Sequence, residues 1–129
     1  METLETATSW TGLEPLRDAV ARALTGALGQ AVVGCHVSHL YPTGASLYFT
    51  VLAARDSEDP AGQWERAKRA AGEAITAAGA TITHHHAVGR DHMPWLEAEH
   101  GALGLELLRA AKQRCDPAGV MNPGVLVGR

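Results

Sequence analysis

The segment AVVGCHVSHLYPTGASLYFTVLAA, residues 31–54, constrains the fold more than any other stretch. Two β-rich runs flank a turn holding Pro42 and Gly44, and such runs fold back on each other as an antiparallel hairpin. Strands are expected over 31–41 and 45–54, with Leu47, Phe49 and Val51 sharing one face by period two.

Helical spacing lies on either side of this hairpin. Leu13, Leu16, Val20, Leu24 and Leu28 recur at helical intervals over 12–29, behind the capping-box pattern Thr11-Gly12-Leu13-Glu14 and ahead of Gly29. Asp59-Pro60 has the form of a second helix start, and Trp64, Ala67, Ala71, Ile75 and Ala78 make its apolar stripe before Gly79. Residues 80–83 read as a short strand, and residues 2–8 as a further one. A short helix over 93–99 and a longer one over 101–115 follow, the latter with Leu103, Leu107, Leu108 and Ala111 on one side. Trp10, Trp64 and Trp95 are expected in the core.

This order predicts an α+β fold, a two-layer ferredoxin-like sandwich with helices on one face of an antiparallel sheet, plus C-terminal helices. The other sheet face, bearing His36, Ser38, Tyr48, Thr50, Thr81 and Thr83, is left to solvent, a ligand, another domain or a second copy in a homodimer.

Composition narrows the function classes. At 129 residues, 46% hydrophobic and with a net charge of −3, the chain reads as one domain, with nothing basic enough to favour nucleic acid. No run is long and apolar enough to span a bilayer. Cys35 and Cys115 are far apart and form no Cys-x-x-Cys pair, so free thiols and a cytoplasmic setting are expected.

The chemistry concentrates in GATITHHHAVGRDHMPWL, residues 79–96. On an extended backbone His84 and His86 share a face while His85 points the other way, and His36 and His39 oppose each other by parity. With no Cys pair and no zinc spacing on a helix, no metal site is expected. Solvated loop histidines are the plain alternative. Against it stand the strand that feeds the cluster and the small-residue turn that follows it. Tyr41, at a strand end, is a phenol able to exchange protons with nearby imidazoles. Arg90 adjoins the histidines and suits a phosphate or carboxylate.

Taken in order, ETLETATSW, HVSHLYPTGASLYFTV, GATITHHHAVGRDHMPWL and CDPAGVMNPGVL resemble the C-terminal part of FAD-linked oxidases. The likeness is to the alkyldihydroxyacetonephosphate synthase (alkylglycerone-phosphate synthase) branch of the vanillyl-alcohol oxidase superfamily, and it runs over nearly the whole chain. The resemblance implies a cap domain that covers a flavin and shapes a substrate pocket, with FAD bound mainly by a separate domain or chain. In that branch the flavin carries an acyl-dihydroxyacetone phosphate while fatty acid leaves and a fatty alcohol replaces it. A cap of a generic FAD-dependent hydroxy-acid or alcohol oxidase is a rival, and a non-catalytic anion- or metal-binding module another. Carried over residue by residue, Tyr41, His84, His85 and His86 become catalytic, His86 and Asn122 meet the cofactor, and Arg90 meets a small, phosphorylated substrate. Ala87 stands where the family usually has Gly, and Arg90 where Lys is common. The isolated 129-residue chain is not expected to be active, because it lacks a flavin-binding domain.

Overall fold

A computed structural model describes residues 1–128, which fall into two compact units, Met1–His86 and a second beginning at Ala87. The first holds strand β1 (Glu2–Ser9), helix α1 (Leu13–Leu28), strands β2 (Ala31–Tyr41) and β3 (Gly44–Ala53), and helix α2 (Pro60–Ala77). The second holds helix α3 (Leu96–Cys115) and the tail that follows it.

The three strands form one antiparallel sheet in the order β1-β3-β2, with helices against one face, so the chain is α+β. Register follows the period-two pattern: Leu4 pairs with Phe49 and Val33 with Val51. Leu47, Phe49 and Val51 are buried, as are the α1 stripe of Leu16, Val20 and Leu24, which packs on β3, and the α2 stripe of Ala67, Ala71 and Ile75, whose helix packs on α1. Each large apolar side chain so removed from water contributes about 1.5–3 kcal/mol. The small alanines of α2 let that helix lie close, and Asp59 caps it by accepting from the Gly62 amide at 3.0 Å.

Several expectations are corrected. The 80–83 segment is no strand: only Thr81 bridges, to Ala7, and the chain is tied to β1 by single hydrogen bonds. The capping box does not form; Thr11 pairs with Ser9, and a 3-10 turn over Trp10–Gly12 leads into α1. None of the three tryptophans is buried, and Trp10 instead spends its indole N–H on the Pro42 carbonyl at 3.1 Å. In the second unit the expected division into a short and a longer helix is present, since α3 is interrupted at Gly101, whose φ of 71° only glycine adopts cheaply, although residues Met93–Trp95 form a 3-10 turn instead of the start of the short helix. The buried residues of α3 are Leu96 and Leu105, while Leu103, Leu107 and Leu108 are exposed. Both cysteines are free, and no helix among the described residues is long and apolar enough to cross a membrane.

Candidate functional site

Two departures from regular backbone build the site. The first is a β-bulge in β2, where Ser38 pairs with Ser46 but Leu40 with Ala45, leaving His39 as an extra residue at φ 20°. A bulge shifts the parity of everything after it. Tyr41, which strict alternation would turn toward the helices, therefore shares the helix-free face with Ser38, Ser46 and Tyr48. The second departure is His85, whose φ of 57° breaks the extended alternation across the triple histidine. Its ring then sits beside that of His84, with centroids 4.3 Å apart, instead of on the opposite side.

The histidine segment is fixed by the outer edge of β1. Thr81 donates its amide to the Ala7 carbonyl at 3.2 Å, and His84 donates its amide to the Glu5 carbonyl at 3.1 Å. Thr6, fully buried, donates its hydroxyl to the Thr81 carbonyl. Three backbone or near-backbone ties leave the imidazoles little freedom to move along the strand.

The side chains converge on Glu5. Its carboxylate, only 4% exposed, accepts from His84 Nδ1 at 3.1 Å through Oε1 and lies 3.4 Å from His86 Nε2 through Oε2. His39 Nε2 is 3.9 Å from Oε1. On the far side of the His84 ring, Nε2 is 3.0 Å from the Tyr41 hydroxyl. A continuous path thus runs Glu5–His84–Tyr41. Tyr48 closes the patch with its ring edge-on to His86 at 5.5 Å.

Burial pushes the Glu5 carboxyl up, but the Ser46 hydroxyl, the His84 ring and the positive character of His84 and His86 outweigh it and hold the group below the usual carboxylate range. Ser46 Oγ is itself buried with no hydrogen bond of good geometry. The 3.1 Å imidazole contact is therefore the firmer of the two anchors. Glu5 is ionised at neutral pH.

A shallow groove of about 290 Å³, lined by Tyr41, Thr8, Thr43 and Ala45 among others, opens beside the phenol. Ring nitrogens of His39, His84 and His85 lie within 4.8 Å of one another, close enough to hold a metal ion. The expectation of no metal site rested on strict parity as well as on the missing Cys pair and helical zinc spacing, and the bulge and the left-handed His85 remove the parity part of that premise.

Arg90 and Asn122 belong to the second unit. Arg90 donates to the Pro123 carbonyl at 3.1 Å and packs against Gly124, so the guanidinium braces the Asn-Pro-Gly turn. Asn122 adopts φ 45° and accepts the Val125 amide at 3.2 Å through its carbonyl. Neither residue lines the cleft of about 510 Å³ beside Arg109, Lys112 and Asp116.

Sequence reasoning brought Tyr41 and the three histidines forward but missed Glu5 and His39. Alternation over Leu4-Glu5-Thr6, placing a lone acid on the polar sheet face, was the available signal for Glu5. Nothing in the sequence marks the bulge that recruits His39.

A family model described as the C-terminal domain of FAD linked oxidases matches residues 1–126. The chain is 34% identical over 97 residues to an alkyldihydroxyacetonephosphate synthase of Trypanosoma brucei brucei, which covers 75% of this chain and 16% of that protein. It is 33% identical over 112 residues to the protein of that name from Caenorhabditis elegans, covering 86% of this chain and 18% of the relative. A solved structure of an alkyldihydroxyacetonephosphate synthase superposes with a TM-score of 0.61 at 23% identity, over 95% of this chain and 20% of the other. The chain thus spans no more than about a fifth of the length of these relatives. With a family match running through all but the last few residues, the chain belongs to the FAD-linked oxidase C-terminal domain family.

Proposed function

We propose that this chain is the cap of an FAD-dependent enzyme, closing over a flavin that a further, longer stretch of polypeptide binds, and supplying the groups that move a proton on the substrate. The observation that carries this is the Glu5–His84–Tyr41 path, with the phenol 3.0 Å from one ring nitrogen and the carboxylate 3.1 Å from the other. A partly exposed phenol backed by a half-buried imidazole and a buried carboxylate suits proton transfer at a surface that another domain covers.

The residues present fit such a division of labour. No glycine-rich phosphate cradle occurs in the sequence, whereas the helix-free sheet face presents two phenols and four imidazoles around one carboxylate. FAD, when bound by the rest of the protein, supplies a ring that accepts electrons or a carbon nucleophile. Tyr41 then takes or returns the substrate proton, His84 holds it, and Glu5 offsets the imidazolium charge. His85 and His86, more exposed than His84, meet an anionic group of the substrate. His86 and Asn122 reach the cofactor and Arg90 the substrate, as the likeness to the synthase branch implies. The names of the two relatives favour an ether-forming synthase acting on a phosphorylated ketone; an FAD-dependent oxidase of hydroxy acids or alcohols uses the same proton-transfer groups.

The test is the absorbance spectrum of the full-length protein. A flavin spectrum that persists through gel filtration is expected. Full-length protein that folds yet takes up no FAD would rule the proposal out.

A second role is favoured by one observation, the 4.8 Å grouping of ring nitrogens on His39, His84 and His85. A module that holds a divalent transition metal without chemistry would retain stoichiometric metal after exhaustive dialysis, and a metal-free, flavin-loaded protein would exclude it.

A further inference from the structure

The geometry points to Glu5 as the positioning residue that sets the direction of proton transfer between Tyr41 and His84. Its kinetic consequence rests on the proton-transfer role proposed above for Tyr41, but its spectroscopic consequence does not.

Glu5 holds His84 twice. Its main-chain carbonyl accepts the His84 amide at 3.1 Å, and its carboxylate accepts from the ring at 3.1 Å. The residue is 5% exposed and sits within β1, so neither grip can swing away. Oε2 faces His86 at 3.4 Å, and His39 is the remaining titratable neighbour at 3.9 Å from Oε1. An ionised carboxylate has no proton to give, so the nitrogen that faces it carries the N–H. A neutral imidazole has only one, and the hydrogen bond made by one ring nitrogen decides the state of the other. His84 is thereby held as its Nδ1–H tautomer, with the Nε2 lone pair aimed at the Tyr41 hydroxyl.

The phenol consequently donates, and the chain of bonds has one direction. When the phenolic oxygen takes a proton from the substrate, its own proton passes to His84 Nε2. The substrate is left one proton poorer, Tyr41 is unchanged, and His84 becomes an imidazolium opposite ionised Glu5; no electrons are gained or lost by these residues. With Glu5 uncharged or removed, either tautomer of His84 becomes available, and in one of them Nε2–H donates to Tyr41, which can no longer pass its proton on.

The experiment uses the full-length, flavin-loaded protein with 15N-labelled histidine, read by multiple-bond 15N–1H correlation above the histidine titration range. The His84 signals are assigned by their loss in His84→Gln. In the parent protein Nδ1 should be pyrrole-like and Nε2 pyridine-like; the reverse pattern overturns the inference whether or not any Glu5 variant folds. In Glu5→Gln the tautomers should mix or reverse. There kcat should fall at least about tenfold, and by up to about ten-thousandfold, with KM within about threefold. Retention of both the tautomer and the parent kcat in Glu5→Gln would equally overturn it. Failure of the proposed function is distinguishable: Tyr41→Phe would then keep full turnover while the His84 tautomer stayed as assigned.

Discussion

The Tyr41 hydroxyl lies 3.0 Å from Nε2 of His84 across 43 residues of chain, a contact that exists only because the extra residue His39 turns the end of β2 over. Without that bulge the phenol would face α1 and α2, and the imidazole would have no partner on its outward side. The functional pair is thus made by an irregularity in one strand and by the pinning of a loop to the edge of another.

Removing the phenolic oxygen is the most direct probe of this pair. Tyr41→Phe in the full-length enzyme should lower kcat by about 100- to 10,000-fold while flavin content per chain stays at the parent level. A loss below about tenfold, measured in steady state with FAD quantified on the same sample, speaks against proton transfer through Tyr41.

Acid stability should report on Glu5. Its carboxyl titrates lower in the folded chain than when unfolded, so the stabilisation it confers is fully present above the unfolded value and is lost as pH falls through the folded one. Urea midpoints followed from neutral pH into the acid range should drop for the parent chain. Glu5→Gln should show a visibly shallower drop, and identical pH profiles would mean the carboxylate is not held as the His84 and His86 contacts indicate.

The core should answer to the loss of Phe49, wholly buried at the centre of the central strand. Phe49→Ala should destabilise by about 3–5 kcal/mol, because a cavity remains between sheet and helices that short alanines on α2 cannot fill. Chemical denaturation of both proteins checks this directly.

Ala87, just after the triple histidine, adopts φ 60°, a conformation that costs a residue with a Cβ about 1–2 kcal/mol. Ala87→Gly relieves that strain but gives the unfolded chain more freedom, costing about 0.4–1 kcal/mol. A net gain of up to about 1.6 kcal/mol is expected, seen as a higher urea midpoint with an unchanged slope. A lower midpoint would show that the methyl group makes a contact worth more than the strain.

The sequence by itself determined the hairpin, the two helices that cover it and the face on which Leu47, Phe49 and Val51 lie, because these depend on periodicity and turn chemistry written locally in the chain. It also supplied the ingredients of the site, since Tyr41 and the three histidines stand out by type. Tertiary structure alone decided how they meet. Periodicity assumes regular backbone, and the bulge at His39 and the left-handed His85 break it where side chains must converge. Glu5 became visible only once the 81–84 segment was laid along β1, for a buried charge is recognised by what surrounds it. The exposed leucines of α3 have the same origin: a helical stripe states which residues share a side, and only the packed chain states whether anything covers them.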